Sequence, residues 1–143
     1  MSTDGLESFD HTVQLAHIWI SDLDERLGWE NKPRSYRLLK AVLHAVRDWL
    51  QINEAADLGA QLPMLLRGAY YDQWRPARNP ARPRAKADFI GRVEQSFNRD
   101  PLTDPEKAVS AVFDLLSAKI SAGEIEDVRQ SLPSDIRAMW QPE

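Results

Sequence analysis

Apolar residues recur every three or four positions through most of this 143-residue chain. The clearest row consists of Phe9, Val13, Ala16, Ile20, Leu23 and Leu27. This spacing places the side chains along one face of an α-helix. Gly28 then favours the end of that helix, because glycine adopts the left-handed C-terminal conformation without steric cost. No segment shows the sustained alternation of a β-strand, so the sequence predicts an all-α fold.

Two further helices are predicted in the first half of the chain. The segment from about Ser35 to Trp49 carries apolar residues on two neighbouring rows. A helix with so wide an apolar face is expected to be central and largely buried. A shorter helix is predicted from about Asn53 to Leu62, with Asn53 as its N-cap.

The second half repeats these signals. An apolar stripe predicts a helix from about Lys86 to Asn98. The segment TDPEKAV offers Thr103 or Asp104 as an N-cap, with a Thr103–Glu106 capping box. The helix that it starts is expected to run to about Lys119.

A last main helix is predicted from Ser121 to about Leu132, because SAGEIEDV again places a serine three residues before a glutamate. Proline follows leucine at positions 62–63 and 132–133. Proline can begin a helical turn, since its missing N–H is not needed there. We expect a short helix after each Leu-Pro step, with Tyr70 or Trp140 filling the core of its own half.

The two halves match at a constant offset of 70 residues. Matching positions include Glu54 and Glu124, Asp57 and Asp127, Leu62-Pro63 and Leu132-Pro133, Arg67 and Arg137, and Tyr70 and Trp140. Similarity at a fixed period is typical of a structural repeat. The sequence therefore predicts a single helical-bundle domain, 1–143, built from two tandem pseudo-repeats with six main helices plus the short Leu-Pro helices. Its parts are repeat one at about 9–74, a proline-rich connector at 75–86 and repeat two at about 86–140.

Three segments carry a family resemblance: AVLHAVRDWL, AADLGAQLPMLLRGAYYDQW and AVFDLLSAKISAGEIEDVRQSLP. They resemble the bacterial domain-of-unknown-function family 2267, over the range from about Phe9 to Trp140. The resemblance implies a compact, all-helical bacterial protein. It implies no activity, substrate, cofactor or catalytic residue that can be transferred to positions of this chain.

The composition excludes several kinds of site. The chain has no cysteine, which excludes disulfides, thiolate metal sites and cysteine nucleophiles. Its three histidines form no HExxH or Glu-x-x-His motif. His44 and Asp48, four apart on a predicted helix, are typical of a structural pair. We therefore predict no metal, no cofactor and no catalytic residue, and the interpretation leans away from an enzyme without deciding the question. The N-terminal sequence and the absence of a long apolar stretch predict a cytoplasmic protein with no membrane span.

One segment reverses the charge of this acidic chain, whose net charge is −4. Residues 75–86, the basic connector, contain no acidic residue and carry Arg75, Arg78, Arg82, Arg84 and Lys86. Its three prolines forbid a regular helix, so a loop is predicted. The connector is either a solvated linker that neutralises the two acidic blocks or part of a binding site with the aromatic residues before it.

We name residues 67–86 the basic aromatic strip. The candidate binding residues in it are Arg67, Tyr71, Trp74, Arg75 and Arg78. The first hypothesis is a non-enzymatic interaction module that binds a protein or an anionic ligand through this strip. The alternative is a small-molecule-binding protein or an enzyme with a pocket between the two helical repeats. The net charge disfavours nucleic acid, and a homodimer is left open.

Overall fold

The computed structural model describes residues 5–141; residues 1–4 and 142–143 of the predicted domain lie outside this range. The first half forms α1 (Glu7–Leu27), α2 (Lys32–Trp49), α3 (Ile52–Ala60) and α4 (Met64–Tyr71). The second half forms α5 (Lys86–Glu94), α6 (Pro105–Lys119), α7 (Ala122–Ser131) and α8 (Ser134–Arg137). Short 3₁₀ turns cover Pro76–Arg78 and Gln95–Phe97. Residues 5–141 contain no strand, which confirms the all-α prediction.

Several helix ends lie where the sequence predicts them. Gly28 adopts a φ of 67° and its N–H donates to the carbonyl of Asp24 at 2.9 Å. The carboxylate of Asp104 accepts the N–H of Lys107 at 3.1 Å. The hydroxyl of Ser121 accepts the N–H of the residue three positions later at 3.4 Å. These bonds satisfy backbone groups that a helix leaves unpaired at its ends.

Two predicted caps are wrong. Asn53 lies inside α3, because the N–H of Ala55 already donates to the carbonyl of Gln51 at 2.9 Å and closes the first turn two residues earlier. At the start of α6 the cap is Asp104, immediately before the proline, so Thr103 lies outside the helix and the Thr103 capping box does not form.

Helix α2 is the centre of the bundle, as its wide apolar face predicts. Ten of its 18 residues are buried. It packs against α1, α3, α4, α5 and α6, so it contacts both halves of the chain. Its contact with α6 brings together the two helices that the sequence expects to face each other. Burial of this apolar surface is the main source of stability for such a bundle.

The two predicted aromatic plugs are both fully buried. The Tyr70 hydroxyl donates to the carbonyl of Ala55 at 2.6 Å. Trp140 stacks on Phe113 with ring centroids 4.3 Å apart, and its Nε1–H donates to the Ser117 hydroxyl at 2.8 Å. Each plug therefore packs within its own half, and each buried polar atom has a partner.

The contact between α3 and α7 brings acidic residues together. Glu54 and Glu124 each have one carboxylate oxygen that is buried without a hydrogen-bond partner among the described residues. Burial raises the pKa of both side chains, and the nearby carboxylates of Asp57 and Asp127 raise it further. The charged forms of the two glutamates are therefore disfavoured in the folded protein.

We predict that Glu54→Gln raises the free energy of unfolding at pH 7. The folded state binds the proton of Glu54 more tightly than the unfolded state, so its contribution to stability falls as the pH rises above the ordinary value of 4.5. The gain should therefore shrink at pH 4. Urea unfolding at both pH values measures it.

Glu126→Gln on α7 is the matched control. Hydrogen bonds from Gln130 and Arg129 lower the pKa of Glu126, so its charge is favoured in the folded state. This variant should show no gain at pH 7. A loss of stability in Glu54→Gln at pH 7 would contradict the prediction.

Candidate functional site

The basic connector covers the C-terminal end of α2. The carbonyls of residues 47–50 all accept hydrogen bonds from it. Asn79 Nδ2 donates two, at 2.7 and 2.8 Å. The N–H of Ala81 donates one at 2.7 Å, and Arg84 Nη1 donates one at 2.9 Å. The last carbonyls of a helix lack partners within it, so the connector acts as a C-terminal cap for the central helix.

The aromatic residues before the connector pack rather than project. Trp74 donates its Nε1–H to Asn79 Oδ1 at 2.8 Å. It stacks on Tyr71 with ring centroids 5.5 Å apart. The Tyr71 hydroxyl lies where a Cβ on Gly59 would be, so the close approach to α3 requires glycine at that position. Both rings are half-buried and position the cap on α2.

Arg67 lies at the end of α3. Its Nε donates to the carbonyl of Gly59 at 3.0 Å and its Nη2 to the carbonyl of Leu62 at 2.9 Å. Arg137 makes the corresponding bonds at the end of α7, at 2.9 and 3.0 Å. These arginines satisfy helix carbonyls in their own halves.

Arginines from three parts of the chain surround one open cavity of about 470 Å³. We call it the arginine pocket. It is lined by Arg47, Asp48, Gln73, Arg75, Arg78, Pro80, Ala81, Arg82 and Arg92. The lining contains five guanidinium groups and one carboxylate, so the pocket is strongly positive on a protein that is acidic overall.

The inner wall of the pocket is a fixed network. Arg47 has only 2% of its side chain exposed and donates through Nε to Asp48 at 2.8 Å. Its Nη1 also donates to the carbonyls of Tyr70 and Asp72, at 2.7 and 2.9 Å. The other carboxylate oxygen of Asp48 accepts a hydrogen bond from Arg92 on α5. The single acid of the pocket is therefore held by two arginines.

The outer wall consists of exposed arginines. Arg75, Arg78 and Arg82 are exposed, and none makes a side-chain hydrogen bond or ion pair with any residue in the 5–141 range. Guanidinium groups present planar sets of donors that match carboxylate and phosphate oxygens. This wall can therefore bind an anionic group that enters the pocket.

Two of the five candidate binding residues, Arg75 and Arg78, line the pocket. Trp74 and Tyr71 pack beside the cap, and Arg67 bonds to the end of α3. The sequence interpretation missed Arg47, Arg82 and Arg92. The signal for Arg47 was a charged residue within the widest apolar face of the chain, since such a residue is seldom buried without a partner.

The family comparison covers this whole arrangement. A family model described as "Uncharacterized conserved protein (DUF2267)" matches residues 16–139. The chain belongs to this family. The match includes every residue that lines the arginine pocket. No curated protein matches the chain.

Two searches of this DUF2267 chain found no site of another kind. Over the described residues, no helix has both the length and the hydropathy to cross a bilayer. The same residues contain no group of three or more histidine, aspartate or glutamate side chains arranged to hold a metal ion.

We predict that Asn79→Ala lowers the free energy of unfolding by about 2 kcal/mol. The change leaves two helix carbonyls and the indole N–H of Trp74 without their partner, and each unsatisfied group carries a desolvation penalty. Urea unfolding measures the loss. Asn98→Ala is the control, because Asn98 is exposed and its side chain makes no hydrogen bond within residues 5–141. Equal stability of the two variants would show that the cap contributes little.

Proposed function

We propose that this protein is a non-enzymatic interaction module that binds an anionic group of a partner in the arginine pocket. The observation that supports the proposal is the enclosure of one cavity by five guanidinium groups whose only carboxylate is already bound twice. The anionic group belongs to a protein or to a smaller anionic ligand. The proposal narrows the basic aromatic strip to its connector end.

Charge repulsion makes an anion favourable in this pocket. The exposed arginines lie close together without compensating acids among the described residues. Burial lowers the pKa of the adjacent Arg84, and the positive charge of Arg82 lowers it further. A bound carboxylate or phosphate relieves this repulsion and forms charge-assisted hydrogen bonds. Because the arginines are exposed, salt should weaken the binding.

We predict that Arg75→Glu combined with Arg78→Glu lowers the affinity for inorganic pyrophosphate by about tenfold or more. The double change removes two exposed cations from the pocket and adds two anions to it. Isothermal titration calorimetry at low salt measures the affinity, and NMR of the arginine side chains locates it.

The matched control is Arg99→Glu combined with Lys107→Glu. It makes the same change in net charge at two exposed residues outside the pocket lining. It should retain most of the affinity. If both double variants bind pyrophosphate as the unchanged protein does, or if the unchanged protein does not bind it, the proposal is wrong.

The alternative is a protein that binds a small anionic molecule in the same pocket, with or without catalysis. The pocket lies between α2 of the first half and α5 of the second, and its volume is in the range of small-molecule sites. Native mass spectrometry of the protein purified at low salt separates the two candidates. A retained small mass supports the alternative, and a retained polypeptide supports the interaction module.

We also propose that the two halves are tandem pseudo-repeats of about 70 residues. The matched bonds of Arg67 and Arg137 support this, as do the two glutamates with unpartnered oxygens in the contact of α3 with α7. A bacterial, cytoplasmic setting is part of the same proposal. It is supported by the family resemblance and by a cysteine-free composition, which suits a reducing compartment.

A further inference from the structure

A second cleft adjoins the arginine pocket. It has a volume of about 400 Å³ and lies on the same side of α2. Its lining residues are Pro33, Tyr36, Arg37, Lys40, Ala41, His44, Gln73 and Ser96. Gln73, in the turn after α4, lines both clefts. The two clefts therefore form one continuous depression, which we call the basic groove.

The floor of the basic groove is one face of α2. Arg37, Lys40, His44 and Arg47 follow one another at steps of three, four and three residues, which aligns them along the helix. The ten residues from Arg37 to Arg47 span about 15 Å at the rise of an α-helix. On the opposite side, Arg92 of α5 and Ser96 of the following turn are four residues apart. The groove is therefore longer than one anionic group.

The second cleft retains a positive excess. Asp72 accepts a hydrogen bond from Lys40 at 2.9 Å. Asp100 accepts one from Arg34 at 2.6 Å and lies 3.9 Å from Arg37, whose side chain is 47% exposed. Three cations thus face two carboxylates at this end. Burial lowers the pKa of the nearby His44, so that side chain adds no charge at neutral pH.

We propose that the basic groove binds an extended acidic peptide segment of a partner protein. One acidic cluster of the segment occupies the arginine pocket, and a second lies against Arg37. This inference rests on the proposed function and specifies the partner. An extended chain advances about 3.3 Å per residue, so roughly five residues separate the two clusters.

The surroundings of the groove favour a short peptide over nucleic acid. Residues 1–72 and 88–143 each contain eleven acidic residues, against seven and six basic ones. A duplex carries charge well beyond 15 Å and would meet these acidic surfaces. Single strands gain affinity by stacking bases on aromatic rings. Tyr36 is the one aromatic side chain that lines the groove in the described part of the chain.

The test uses the full-length protein and two fluorescein-labelled peptides, with fluorescence anisotropy at low salt. The first peptide carries two Glu-Glu pairs separated by four glycines, and in the second one pair is replaced by Gln-Gln. We expect the two-pair peptide to bind about tenfold more tightly or better, because the second contact is intramolecular once the first has formed. Pyrophosphate should compete with both peptides.

Arg37→Gln locates the second contact. It should reduce the affinity for the two-pair peptide to nearly that of the one-pair peptide, and leave pyrophosphate binding unchanged. Lys107→Gln, the same charge change at an exposed residue outside the groove lining, should leave the two-pair peptide bound as before. Circular dichroism checks that both variants are folded.

The remaining outcomes overturn the inference in distinguishable ways. Equal affinity for the two peptides, with pyrophosphate still competing, removes the second contact and leaves the proposed function standing. Failure of both peptides and of pyrophosphate removes the proposed function as well. Tighter binding of a ten-nucleotide oligodeoxythymidylate than of the two-pair peptide, lost in Arg37→Gln, replaces the acidic peptide by single-stranded nucleic acid.

Discussion

The buried guanidinium group of Arg47 is the interaction on which both the fold and the candidate site depend. A cation with 2% of its side chain exposed must be fully paired, because an unpaired buried charge is strongly destabilising. Its partners are the carbonyls of Tyr70 and Asp72 at the end of α4 and the carboxylate of Asp48. Asp48 in turn binds Arg92 of α5. One buried charge thus links the central helix to elements on both sides of it.

The same region explains why the connector follows a defined path. Asn79 can reach the end of α2 only if the chain turns back immediately after Trp74, and the indole N–H of Trp74 holds the amide oxygen that orients it. This cap places Arg75, Arg78 and Arg82 around the Arg47 network. The prolines exclude a helix, and the capping bonds select one loop conformation. A segment that looks like a linker in sequence is therefore part of the packing of the central helix.

The predictions that the structure confirms concern local chemistry. The end of α1 at Gly28, the cap at Ser121 and the buried rings of Tyr70 and Trp140 depend on residues close in sequence or on a simple apolar period. The Asn53 cap failed because α3 begins directly after the end of α2, so the chain was already turning at Gln51. Caps compete with their neighbours, and the arrangement that satisfies most backbone groups is formed.

By itself the sequence determined the helical class, the approximate extent of each helix and the position of the one charge-reversed segment, because periodicity and composition are local properties. Only the tertiary structure decided which arginines share a cavity. Arg47, Arg82 and Arg92 come together because α2 and α5 pack side by side and the connector closes over the end of α2. Only the fold also turned Arg67 and Tyr71 toward α3. Which side chains meet depends on how helices pack across long separations in sequence, and no pattern within a single helix contains that information.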